Sequence, residues 1–120
     1  HFLRLGIGRI AARELGKGHQ VGFAGLRQHE AAQRFFGIGE RWLEGHLAGR
    51  TWAAGSDFTL ADCAAAPSLF YADWTHRISE AYPLLRAYRA RLLARPSFAR
   101  AVEEARPFRS YFPLGAPDRD

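Results

Sequence analysis

Apolar residues return every three or four positions across residues 26–47, at Phe35, Ile38, Trp42, Leu43 and Leu47, the period of one face of an amphipathic helix. Gly37 and Gly39 interrupt that stretch. Each costs about 1 kcal/mol relative to Ala in a helix interior, so together they imply close packing against a neighbour or a local break. Residues 48–57 carry Gly49, Gly55 and Ser56 around Trp52 and read as a loop that its Trp anchors to the body. A second helix is expected from residue 59 to about residue 72. Leu60, Ala61, Cys63, Ala64, Ala65, Ala66, Leu69 and Phe70 make it apolar around most of its circumference, as in a helix surrounded by others. Pro67 lies inside it and should kink it, because a proline there removes one backbone hydrogen bond.

Residues 73–82 are polar and mixed, a short helical turn followed by a connection. Pro83 suits the first position of a third helix, with Leu84, Leu85, Tyr88, Leu92 and Leu93 as its buried stripe and Arg86, Arg89, Arg91 and Arg95 toward water. Pro96 ends that helix. Ser97 then caps a short fourth one with Phe98, Ala99 and Val102 inward, and Pro107 stops it. The tail holds Pro113, Gly115 and Pro117 and reads as an extended strap fixed by Phe108, Tyr111 and Phe112. At least four helices with short connections and no hairpin signal predict an all-α helical bundle, a single domain over residues 1–120.

The start of the second helix is the most explicit signal in the chain. In Phe58-Thr59-Leu60-Ala61-Asp62-Cys63, Thr59 can accept a hydrogen bond from the backbone N–H of Asp62 while the Asp62 carboxylate reaches back to the N–H of Thr59. Phe58, just before this capping box, is placed to pack on Cys63 as a hydrophobic staple, which makes Cys63 a buried small hydrophobe and not a catalytic thiol. Replacing Asp62 by Ala is then expected to cost on the order of 1 kcal/mol, as lost caps do.

Composition narrows the function classes. The chain has 120 residues, 48% hydrophobic and 13% aromatic, enough for a packed core. Its charge is +5, but 16 of the 17 basic residues are Arg, spread from Arg4 to Arg119 with Met absent, which looks more like a GC-rich coding sequence than a nucleic-acid footprint. No nucleic-acid partner is expected. The single cysteine excludes an internal disulfide framework and a multi-Cys zinc site, and a reducing cytoplasm fits best. His1, His19, His29, His46 and His76 are scattered without metal-ligand spacing, so no metal is expected. The longest apolar run falls far short of the ~20 residues a membrane span requires, so no membrane is expected either. The chain opens on His1 and not on Met, from which a preceding portion is expected.

One rival signal lies near the start. Leu5-Gly6-Ile7-Gly8-Arg9-Ile10-Ala11 matches G-x-G-x-x-A, and Gly18-His19-Gln20-Val21 follows much as a second strand would in a dinucleotide-binding unit. The intervening helix would be only a few residues long, no acidic residue stands where a ribose partner belongs, and no further parallel strands follow. A nucleotide-binding oxidoreductase fragment nonetheless predicts a βαβ opening between Phe2 and Phe23.

From Ala48 onward the order of features resembles the C-terminal helical domain of the glutathione S-transferase superfamily, of the bacterial cytosolic type. The residues that carry the resemblance are Leu47-Ala48-Gly49-Arg50-Thr51-Trp52-Ala53-Ala54-Gly55, the box Phe58-Thr59-Leu60-Ala61-Asp62, Ala66-Pro67, Tyr82-Pro83-Leu84-Leu85-Arg86-Ala87-Tyr88 and Arg95-Pro96-Ser97-Phe98. Together they cover roughly two thirds of the chain. Residues 1–27, with six glycines, match the long helix usual there only poorly.

The resemblance implies a division of labour. Glutathione and its activating side chain belong to a thioredoxin-like N-terminal domain that this chain lacks, while the helical domain supplies a hydrophobic wall for an electrophilic small molecule. It implies a homodimer, a wall built from Phe2, Leu5, Arg9, Tyr71 and Trp74, a structural capping box at Phe58, Thr59, Asp62 and Cys63, no catalytic residue, and no transferase activity in this chain by itself. The competing expectation is a non-catalytic protein–protein interaction module of the same fold.

Overall fold

The computed structural model describes residues 23–120, with side chains from residue 30 onward. The chain is all-α: α1 spans Phe23–His46, α2 Leu60–Thr75, α3 Pro83–Ala94 and α4 Pro96–Ala105, followed by a 3-10 turn, Arg106–Tyr111. Extended pairing among the described residues is limited to an isolated bridge between Trp52 and Gly55 in the α1–α2 loop. The dinucleotide-like motif and its expected βαβ unit lie at the start of the chain, outside the described residues except at Phe23, where α1 begins.

The centre of the bundle is α3. Leu85, Tyr88 and Leu92, spaced three and four apart, are almost fully buried and meet Leu47, Ala66, Leu69 and Ile78 in one core. Pro83 stands at its N-terminus, where its missing N–H costs nothing. No residue of its own caps the helix. Instead Glu44 of α1 reaches across, its two carboxylate oxygens accepting from the N–H groups of Leu84 and Leu85 at 2.9 and 2.7 Å. That places a negative charge on the positive end of the helix and satisfies two orphan donors.

This arrangement corrects the expectation that α2 is surrounded. Its buried face is Asp62, Ala66, Leu69, Phe70 and Asp73. The opposite face, with Leu60, Cys63, Ala64 and Tyr71, is exposed among the described residues. Small apolar side chains around a whole circumference permit burial without requiring it. Pro67 lies in this helix without ending it. It is exposed, as is Cys63, whose carbonyl loses its helical partner and can be hydrated there.

The α1 stripe divides in the same way. Leu47 is buried and Leu43 packs against the core, whereas Phe35, Ile38 and Trp42 are 68%, 71% and 64% exposed. Gly37 and Gly39 neither break the helix nor touch a neighbour, since a Cβ built on either meets no described atom within 4 Å. The helix-forming pattern is real, but of its apolar stripe it is the C-terminal end, Leu43 and Leu47, that enters the core.

Further corrections concern prolines and arginines. Arg95, not Ser97, is the N-cap of α4, because Pro96 takes the first helical position for which its ring is preset. The α-helix does end ahead of Pro107, at Ala105, and the chain runs on as a 3-10 turn with Pro107 near its start, where again its N–H is not needed. Ala99 is exposed while Val102 is buried. Leu84 is exposed too, its backbone N–H held by Glu44. Arg89 and Arg95 do not point simply to water. The Arg95 guanidinium lies 3.5 Å from the Phe58 ring centroid, and that of Arg89 lies 5.6 Å from Phe70. Arginine stems bury readily along aromatic surface, which a helical-wheel reading assigns to solvent. Phe108 and Tyr111 are exposed, leaving Phe112 as the tail's aromatic anchor.

Candidate functional site

Two polar centres organise the bundle, and one aromatic face lies beside the second. The first is Asp62, the third residue of α2, fully buried. Its Oδ1 accepts from Ala53 N–H at 2.9 Å and from the Tyr88 hydroxyl at 2.6 Å, and its Oδ2 accepts from Thr59 N–H at 2.9 Å. The reciprocal side of the box is looser: the Thr59 hydroxyl faces the Asp62 backbone and lies 3.5 Å from Oδ2. Burial by itself would raise the Asp62 pKa. The donors from Ala53, Tyr88 and Thr59 outweigh it and hold the carboxyl below its ordinary value. For Tyr88, burial and then the Asp62 hydrogen bond push the phenol well above its ordinary value, so it remains a donor. Asp62 thus ties the α1–α2 loop and α3 to the start of α2, and every oxygen of it is committed to structure.

Cys63 is not the buried hydrophobe expected opposite Phe58. Phe58 stands edge-on to Trp52, 5.1 Å between centroids, with Arg95 over its face. Cys63 is an exposed free thiol, next in sequence to the buried Asp62 but on the open side of α2. Its spacing from Phe58 fits a staple, but the loop turns Phe58 toward Trp52 and Arg95 and leaves that face of α2 open.

The aromatic face forms at the other end of α2. Tyr71 is 44% exposed and Trp74 half-buried, their rings edge-to-face at 5.4 Å. Phe70 is buried behind them, 5.2 Å from Tyr71 and 4.7 Å from Trp74. Phe112 of the tail completes the group, stacked on Tyr71 at 5.6 Å and edge-on to Trp74 at 5.2 Å. Tyr71 and Trp74, both expected in the wall, are brought together by the fold. Phe2, Leu5 and Arg9 lie outside the described residues. What the sequence did not reveal is the part the tail plays, since nothing in the spacing ties Phe112 to a residue some forty positions earlier.

Beside this face lies the second polar centre. Asp73 is buried; its Oδ1 accepts from Ile78 N–H at 2.9 Å and its Oδ2 pairs with Arg119 and, at 3.8 Å, with Arg89. Burial lowers the Arg89 pKa, against the pull of Asp73. Asp120 pairs with Arg109 and with Arg106, the latter at 3.1 Å, and those hydrogen bonds hold its carboxyl below the ordinary value. Arg109 in turn lies 5.1 Å over the Trp74 ring. Elsewhere, Glu40 is buried near His76, 3.8 Å away. Among the described residues no group of three His, Cys, Asp or Glu side chains could hold a metal ion, and no helix is long and apolar enough to cross a membrane.

An all-α bundle centred on α3, with a buried acidic cap on the helix before it and an open aromatic face at that helix's end, defines the class of domain. Residues 25–96 match the sequence profile of the family described as glutathione S-transferase, C-terminal domain, and the chain belongs to that family. The match begins well before Ala48, where the quoted resemblance starts, and takes in nearly all of α1. No curated protein and no solved structure matches the chain at a significant level.

Proposed function

We propose that this chain is the substrate-side domain of a glutathione S-transferase-like protein, lending a hydrophobic wall to an electrophilic small molecule while glutathione is bound mainly by a thioredoxin-like domain. The observation that carries the reading is the half-open pair Tyr71 and Trp74 on the last turns of α2, in a chain of this family. Their rings offer face and edge to an aromatic or polarisable electrophile and exclude water around it. Asp62 and Tyr88 hold the bundle that positions α2, and they take no part in chemistry. In this reading transfer is a property of the longer protein, whose thioredoxin-like domain activates the glutathione thiol. In this reading the protein is cytoplasmic and works as a homodimer, the exposed Phe35, Ile38 and Trp42 stripe of α1 being the face open to a second copy.

The test uses calorimetry and kinetics together. Glutathione should bind the product of the complete reading frame and not this chain. In that product, Tyr71→Ala and Trp74→Ala should each raise KM for an aromatic electrophile roughly tenfold, the worth of a lost ring contact, and leave KM for glutathione unchanged. The α1 stripe also favours a second reading, a non-catalytic interaction module. Glutathione binding by neither product would decide for that module.

A further inference from the structure

Residues 112–120 return along the bundle and fasten to it at three points beside Tyr71 and Trp74. Phe112 stacks on Tyr71; Arg119 pairs with Asp73 and donates to its backbone oxygen at 2.9 Å; Asp120 pairs with Arg109 and Arg106. Two features beneath this strap are incomplete without it or in spite of it. The indole Nε1–H of Trp74 is buried with no acceptor, beside a phenyl ring and a guanidinium that cannot supply one. Arg109 has its hydrogen-bond partners, Asp120 and the Arg119 carbonyl, on the tail itself, and its other contact is the Trp74 ring. With the strap lifted, a flat aromatic surface, an unsatisfied N–H and an arginine would stand within one ring's width of one another.

We propose that the strap is an internal occupant of this site, and that the ligand it displaces for is a small aromatic anion: its ring takes the place of Phe112 on Tyr71 and its anionic group the place of Asp120 on Arg109. This rests on the reading of Tyr71 and Trp74 as a substrate wall and narrows that substrate to electrophiles with a carboxylate, sulfonate or similar group beside the ring. The orphan indole N–H adds a donor for an oxygen of the same ligand. An aromatic face alone would take neutral rings as well; Arg109 is what makes the site discriminate, because a guanidinium pairs with an oxyanion in a planar fork.

Two dyes of the same skeleton separate the possibilities: anilinonaphthalene sulfonate and its neutral counterpart phenylnaphthylamine. The readouts are fluorescence titration and hydrogen exchange of the Trp74 indole N–H by NMR, for wild type, Phe112→Ala, Asp120→Asn and Asp120→Asn with Arg109→Gln. Opening the strap by Phe112→Ala or Asp120→Asn should speed the indole exchange. Asp120→Asn should tighten the sulfonate dye roughly two- to fivefold, the weight of a partly exposed ion pair. Adding Arg109→Gln should abolish that gain while leaving the neutral dye unaffected. Exchange unchanged in both single variants would overturn the strap and leave the wall reading standing. Faster exchange with neither dye bound would overturn the wall reading and this ligand with it. An equal gain for both dyes, insensitive to Arg109→Gln, would overturn the anion assignment.

Discussion

Truncating Asp62 separates a helix cap from a structural hub. If the residue only capped α2, Asp62→Ala would cost about 1 kcal/mol. In the folded chain it serves three donors from three segments, Ala53 N–H, Tyr88 O–H and Thr59 N–H, at a fully buried position. Each of these hydrogen bonds is worth roughly 1–1.5 kcal/mol net, so their sum is about 3–4.5 kcal/mol. At ~4 °C per kcal/mol for a domain of this size, Tm should fall by about 12–18 °C against about 4 °C for a lost cap. Thermal unfolding followed by circular dichroism distinguishes the two. Tyr88→Phe supplies the internal check: it should cost about 1 kcal/mol in wild type and much less in the Asp62→Ala background, where the acceptor is already gone. A drop near 4 °C, with Tyr88→Phe equally costly in both backgrounds, would refute the hub.

Four further outcomes are expected. Because the folded pKa of Asp62 is depressed, its stabilisation is complete above the ordinary carboxyl value and is lost as pH falls through the lower folded value; Asp62→Asn should flatten that acid limb in denaturant titrations. Glu40 has the opposite sign: burial, only partly offset by His76, raises its pKa, so its contribution is present in acid and lost as pH rises, and Glu40→Gln should raise Tm at neutral pH but not below the ordinary Glu value. Gly39→Ala should stabilise the chain by up to about 1 kcal/mol, since the added methyl meets nothing, and a loss of stability would reveal a neighbour pressed against that face. Glu44→Ala should cost about 1–2 kcal/mol through the uncapped start of α3, and a melting point equal to wild type would show that water replaces it.

Much of the fold was legible because the relevant signals are local. The start of α2 at Thr59, the proline opening α3 and the Leu85, Tyr88, Leu92 stripe each sit within a few residues of the structure they specify. The illegible parts depend on contacts between distant segments. Glu44 capping α3 links residues some forty positions apart, and the Asp73–Arg119 pair links more. No periodicity records such partners. The same limit explains Cys63: its spacing from Phe58 fits a staple, but which way the Phe58 ring turns is decided by Trp52 and Arg95. Apolarity also misleads when it is read as burial. The α1 stripe at Phe35, Ile38 and Trp42 and the open side of α2 have the composition of a core and are exposed. For the candidate site, Tyr71 and Trp74 could be named from the resemblance, whereas Phe112 and Arg109 required the tail to be followed in space.

In the proposed function the Tyr71–Trp74 face, and not another apolar surface, receives the electrophile. The most direct measurement titrates dinitrotoluene, an unreactive analogue of an aromatic electrophile, into the isotope-labelled chain and follows the indole N–H signals of Trp42, Trp52 and Trp74 by NMR. Saturable shifts are expected at Trp74, with Tyr71 and Phe112 moving alongside it and Trp42 still. Shifts at the exposed Trp42 with Trp74 unmoved would contradict this reading and turn the α1 stripe into the binding surface.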